Sequence, residues 1–185
     1  TPIANPRYMI PEWAFGIQED IVRGHVEAAR AAGAELVVMA SHDGFDVDRK
    51  LASRVDGIDV ILTGHTHDAI PAVINVNDTL LIATGSHGKF LGRLDLEIKN
   101  KKIVNYNYKL MPIFSDVITP DPEIAAVVDK IRAPHADKLN TVLGKTESLL
   151  YRRGNLNGTF DDLICQAMIE ERDAEIALSP GFRWG

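Results

Sequence analysis

The sequence predicts an α/β fold from three observations. Segments 17–33 and 46–55 place apolar residues at helical spacing, each leads into a short β-rich run, 35–41 and 58–64, and only strand-like segments follow between Pro71 and Pro112. Two strands joined by a helix should run parallel with a right-handed crossover.

The elements follow in order. Residues 1–16 hold Pro2, Pro6, Pro11 and Gly16 with Tyr8, Trp13 and Phe15 between them, which reads as an ordered covering loop without a long regular element. Ile21, Val22, Val26, Ala29 and Ala32 line one helical face, and Gly33 stops that helix. Val47, Leu51 and Val55 do the same for the second. After Pro71, strands are expected at 73–76, 79–84, 92–99 and 103–110, separated by Asn77-Asp78, Gly85-Ser86 and Asn100-Lys101-Lys102. The alternation in Leu94–Ile98 gives one wet face. Residues 112–122 read as a connector and 121–139 as a helix with Ile124, Val127, Val128 and Ile131 inward, bent or ended by Pro134. The remainder reads as a strand at 142–150, a helix at 159–171 opened by a Thr159/Asp162 capping box, and a strand at 175–178. The organisation expected is a first domain over 1–112, a connector and linker helix over 113–140, and the start of a second α/β domain over 141–185.

Composition narrows the class. With 185 residues, 45% hydrophobic and 25% charged, the chain is an ordinary soluble globular one, which excludes collagenous, mucin-like and disordered types. Twenty Lys plus Arg against 26 Asp plus Glu leave a formal charge of −6, so no basic field is available for nucleic acid. Cys165, among Leu163, Ile164, Ala167 and Met168, reads as a small buried hydrophobe rather than a catalytic thiol. The longest apolar run is Leu36–Ala40, far short of the roughly 20 residues that span a bilayer. The sequence opens at Thr1 without a leader and stops at Gly185 in what reads as a loop; it is expected to be an internal stretch of a longer chain, silent about compartment.

Three of the six histidines fall at the ends of the two predicted parallel strands: His42 after the first, His65 and His67 after the second. Open α/β sheets place their sites there, and neutral imidazole is the commonest metal ligand among side chains. In Gly64-His-Thr-His67 the alternate imidazoles can share one side of the chain, and Gly64 tolerates a close approach. A rim of satisfied surface histidines would give the same pattern. Asp43 and Asp68 are either metal partners or caps of the next loop. Three histidines would suit one zinc with an open position, and the residues themselves do not choose between one ion and two. His25 and His135 read as solvated. His87, in Gly85-Ser-His-Gly-Lys89, is either an anion contact together with Lys89 or part of an ordinary turn. Among cations, Arg183, between Phe182 and Trp184, is the strongest candidate to hold an oxyanion, ahead of Arg152 and Arg153, which also read as solvated charge.

Ser41-His-Asp-Gly44, Gly64-His-Thr-His67 and Gly85-Ser-His-Gly-Lys-Phe-Leu-Gly-Arg-Leu-Asp95, in that order, resemble the metallophosphoesterase domain of the 5′-nucleotidase family. Pro2–Arg7, Ser41–Lys50, Leu149–Asn155 and Leu178–Gly185 are similar to the thiosulfohydrolases of the Sox sulfur-oxidation system within it. The resemblance implies a four-layered α/β/β/α metal domain, a linker helix, a C-terminal α/β domain and a dinuclear centre, manganese in the thiosulfohydrolases. It implies that His42 and His65 bind one ion and His67 the other, with the family's D-x-H motif and bridging Asp upstream of Thr1, so that this stretch alone would be inactive. It further implies sulfate release from a cysteine S-thiosulfonate on the SoxYZ carrier protein in the periplasm, with Arg183 and His87 on the substrate. Two alternatives remain: a 5′-nucleotidase or cyclic-nucleotide phosphodiesterase with the same metals, and a metal-free binding module whose histidine rim contacts a partner.

Overall fold

The computed structural model describes residues 7–14, 16–152 and 157–179, and the chain divides into two compact units, one running through Phe114 and the other starting at Ser115. Among the described residues no helix is long and apolar enough to cross a membrane.

The first unit contains α1 (Glu19–Ala31), β1 (Val38–Ser41), α2 (Phe45–Ala52), β2 (Val60–Thr63), β3 (Ile74–Val76), β4 (Thr79–Ala83), β5 (Phe90–Lys99) and β6 (Lys102–Pro112). β1 to β4 form one sheet in the order β1-β2-β4-β3. β1 pairs parallel with β2 and β2 parallel with β4, whereas β3 pairs antiparallel with β4. β5 and β6 form a separate antiparallel hairpin. Its two-residue loop, Asn100 at φ 51° and Lys101 at φ 61°, takes the left-handed dihedrals of a type I′ turn, which match the strand twist.

Helical spacing turns α1 and α2 toward the sheet, where Val26, Leu51, Ala52, Val55 and Ile58 bury against Ile61 and Leu81. Each large aliphatic side chain there contributes about 1.5–3 kcal/mol. All five residues of β4, which pairs on both edges, are buried, as expected of a strand covered on both faces. At the opposite end of the strands Arg30 ties the segments together: its guanidinium donates to the carbonyls of Ala34, Glu35 and Gly57 and pairs with Asp59, whose carboxylate also accepts from Val37 N–H at 2.6 Å.

Several sequence expectations are corrected. Residues 7–9 form one 3₁₀ turn and Tyr8, Met9 and Trp13 are exposed, so the described part of the N-terminal loop covers little. In the second unit, Pro134 sits in a 3₁₀ turn (Ala133–His135) between α3 (Pro122–Arg132) and α4 (Ala136–Asn140), because a proline ring cannot join an α-helical ladder. Asp121 caps α3, accepting from Glu123 and Ile124 N–H at 2.9 and 3.1 Å. Ile124, Val127, Val128 and Ile131, expected inward, are exposed. The segments 142–150 and 175–178 are not strands: they carry Val, Leu and Ile, but a strand exists only by its ladder, and neither has a partner among the described residues.

The helix expected over 159–171 is α5 (Thr159–Arg172), yet its N-cap is Gly158 rather than Thr159. The Thr159 hydroxyl instead accepts from Tyr151 N–H at 2.9 Å and donates to Leu149 C=O at 3.2 Å, and Asp162 bonds Asn157, so no capping box forms. A Cβ on Gly158 would lie 1.9 Å from the Tyr151 carbonyl oxygen, so only glycine allows this approach. Cys165 is half-buried.

Candidate functional site

The parallel register sets the site. Ser41 is level with Thr63 and Thr63 with Ala83, so β1, β2 and β4 end at one edge of the sheet. His42 leaves from the first, His65 and His67 from the second, and His87 follows the third.

The loop after β2 is tightly wound. Thr66 N–H donates to Gly64 C=O at 3.0 Å across His65, whose φ is 75°, which gives a three-residue turn of the rarer, strained hand. A Cβ on Gly64 would lie 3.2 Å from His42 Nδ1, so a side chain there would crowd the imidazole. Thr66 Oγ1 accepts from Phe45 N–H at 3.3 Å, joining this loop to the start of α2. His42 and His65 then meet edge-on with ring centroids 5.2 Å apart.

A second pair forms beside the first. After His67 (φ 59°) the chain turns back along β4: Gly85 N–H donates to Asp68 C=O at 2.7 Å, Ile70 N–H to Ala83 C=O at 3.0 Å, and Ala69 bridges Thr84. That return carries His67 to His87, ring centroids 5.4 Å apart and nearly perpendicular. His87, at φ 58°, has its Nδ1 2.8 Å from Ser86 Oγ. Three of the four imidazoles thus sit on left-handed backbone, a conformation costing of order 1–3 kcal/mol that is kept where the surroundings enforce it, often at functional sites.

Beneath the loops lies Asp48, a group that sequence reasoning missed. It is wholly buried, and its carboxylate accepts from Ser41 Oγ at 2.6 Å and from Thr63 Oγ1. Burial pushes its pKa above the usual carboxylate range, against the two hydroxyl bonds that pull it down and with a smaller upward push from the Asp43 charge. A signal was present: a hydroxyl residue precedes the site loop on each strand, and an aspartate follows Ser41 by two helical turns.

The predicted three-histidine set is therefore divided between two pairs, His42 with His65 and His67 with His87, and among the described residues no group of three or more His, Cys, Asp or Glu converges on one point. The donors fit a divalent transition metal in kind, since neutral imidazoles suit such ions and His67 Nδ1 is buried with no hydrogen-bond partner. In number they fit half a shell each, because a structural or catalytic ion takes four or more donors. Asp43 is exposed and its N–H caps Ser41 Oγ at 3.2 Å. Lys89 N–H closes the His87 turn on Ser86 C=O at 3.1 Å. Arg152, read as solvated charge, pairs with Asp161 at 3.0 Å and reaches Ser179 at 3.3 Å. Arg153 and Arg183 lie outside the described residues.

Comparison with known proteins adds the following. No protein-family model matches the chain. The trifunctional nucleotide phosphoesterase YfkN of Bacillus subtilis is 28% identical over 159 residues, covering 78% of this chain and 11% of that protein. The 5′-nucleotidase of Diplobatis ommata is 24% identical, covering 87% of this chain and 32% of its own length. The chain thus spans a third or less of these curated relatives. Among solved structures, the Thermus thermophilus sulfate thiohydrolase SoxB matches with TM-score 0.83 and 34% identity over 93% of this chain and 32% of that one. A 5′-nucleotidase precursor from the same organism matches in fold, with TM-score 0.76 and 21% identity over 86% of this chain and 36% of that one. The mixed α/β architecture with its parallel sheet is the N-terminal domain fold of these proteins, and the relatives are hydrolases, supporting an enzyme; together the likenesses support placing the chain in the 5′-nucleotidase/metallophosphoesterase family.

Proposed function

We propose that this chain is part of a metal-dependent thiosulfohydrolase, which releases sulfate from a cysteine S-thiosulfonate on a SoxYZ-type carrier protein in the periplasm. The observation that carries the reading is the pair of facing imidazole pairs at one sheet edge, in a chain 34% identical to SoxB over 93% of its length. In this reading His42 and His65 hold one divalent ion and His67 a second, manganese by resemblance. Bound metal supplies Lewis acidity and a water-derived nucleophile near neutral pH. The chain's own part is to orient and to exclude. The left-handed backbones of His65 and His67 aim the rings, and Gly64 keeps the space beside His42 free. His87 donates from its ring to a sulfone oxygen, with the Ser86 hydroxyl fixing its other nitrogen. Arg183 supplies bidentate charge to the same oxygens.

A second reading, a phosphoesterase acting on nucleotides, is favoured by the names of the curated relatives. The test uses the full-length protein that contains this chain, loaded with manganese. Sulfate release from a thiosulfonate-bearing carrier with no phosphate release from AMP is expected. Turnover of AMP alone supports the phosphoesterase, and a metal stoichiometry of zero sinks both. His65→Ala in that protein is expected to lose metal and sulfate release together.

A further inference from the structure

We propose that Asp48 is a positioning residue for the histidine site: its buried carboxylate bridges Ser41 and Thr63 at the last rung between β1 and β2, and thereby fixes the spacing of the His42 and His65 rings. The inference rests on the reading of those histidines as the site, and deepens it.

An aspartate in the first turn of a helix ordinarily sits in water, where it complements the helix dipole. Asp48 occupies that position in α2 and is nevertheless fully buried, close in sequence to the core residues Leu51 and Ala52. Removing a carboxylate from water costs several kcal/mol, and an apolar residue of similar size would commonly be as stable or more so. What the carboxylate achieves is geometric. Ser41 and Thr63 are Cα partners in register, and after them both chains leave the sheet as His loops. With no ladder beyond that point, the side-chain bridge Ser41–Asp48–Thr63 is the last cross-strand tie before His42 and His65. The tie extends outward, because Asp43 N–H donates to the same Ser41 oxygen, so both neighbours of His42 are held. It is also anchored from below, because Asp48 N–H makes the opening helical bond of α2 to Gly44 C=O at 2.9 Å. Thr66, two residues past Gly64, is fastened to the same helix through Phe45 N–H. One helix therefore sets both loops, and Asp48 is the element of it that touches both strands.

The test uses the full-length protein that contains this chain, freed of metal, and the ¹H–¹³C correlations of its imidazoles. In Asp48→Ala the His42 and His65 ring signals should shift or broaden, while those of His25 and His135 stay in place. Ser41→Ala should displace His42 more than His65, and Thr63→Val the reverse. These two single-hydroxyl variants keep the proposal testable if Asp48→Ala does not fold. Manganese, used as the probe, should bind about tenfold more weakly to each folded full-length variant than to the full-length parent. Unmoved His42 and His65 signals in all folded variants, with only a lowered melting temperature, would overturn the proposal and leave Asp48 a purely structural group. Absence of manganese binding by the full-length parent protein would instead count against the metal reading, and the metal-free spectra would still decide the role of Asp48.

Discussion

The strain at His65 has a measurable size. A residue bearing a Cβ costs roughly 1–2 kcal/mol in the left-handed region, and His65 is held there, at φ 75°, by the Thr66 to Gly64 hydrogen bond. His65→Ala removes the ring and keeps the strain; His65→Gly removes both. Glycine loses about 0.5–1 kcal/mol through greater freedom in the unfolded chain. The difference leaves His65→Gly about 0.5–1 kcal/mol more stable than His65→Ala, the opposite of the order expected in a helix or strand. Both variants lose the His42 ring contact equally, so that contact cancels in the comparison. In thermal melts followed by circular dichroism, His65→Gly should unfold about 2–5 °C above His65→Ala. An alanine variant as stable as the glycine variant, or more so, would refute strain at this position. The metal reading adds that neither variant recovers manganese binding, so stability is gained at the expense of the site.

Three further outcomes follow from the structure. Gly158→Ala should destabilise the second unit by about 2–3 kcal/mol, since the new Cβ meets backbone rather than a side chain that could rotate; loss of amide protection in the first turn of α5 is the readout, and an unchanged protection pattern counts against it. Tyr108→Phe should be neutral or stabilising by about 1 kcal/mol, because the Tyr108 hydroxyl is buried without a partner; its burial raises the Tyr108 pKa above 10.0, so the parent protein should lose stability relative to the variant as pH rises past that value, which urea midpoints at alkaline pH would show. Asp48 has a folded-state pKa raised above the unfolded 3.8, so the folded chain binds that proton more readily and this group's contribution to stability falls as pH rises from 3.8 through the raised value. Asp48→Asn should flatten that fall, and urea midpoints of the two proteins that run parallel from acid to neutral pH would contradict it.

What could be read from the residues divides along local and non-local lines. The helices α1 and α2, and the strands they feed, are encoded by spacing within a dozen residues, and the turns at 77–78 and 100–101 by Asn77 and Asn100, which accept left-handed dihedrals. The seating of β4 against β2 depends on which strand edge is free, so no window of sequence displays it. The same limit explains 142–150: Val142 and Leu143 have strand character and no ladder partner among the described residues. His42, His65 and His67 are legible as residues at strand ends, and His87 as one of a glycine-rich turn. Their division into two pairs is not, because it depends on the return of residues 68–70 along the end of β4. Asp48 escaped notice because an acidic residue in a first helical turn is usually solvated, and only the two hydroxyls that it meets across the fold reveal otherwise.

The complete burial of β4 between β2 and β3 has a consequence for the site's dynamics. Amides in Leu80–Ala83 and Ile61–Leu62 have neighbours on both edges, so they should exchange with solvent only when the whole unit unfolds. The loops that bear His65, His67 and His87 lie past the last ladder rungs and are held by a few local hydrogen bonds, so they should open more often. The histidines thus ride on separately opening segments above a slow-exchanging floor. Such a division lets loop residues be replaced, and the chemistry altered, while the stability of the unit is carried almost entirely below them.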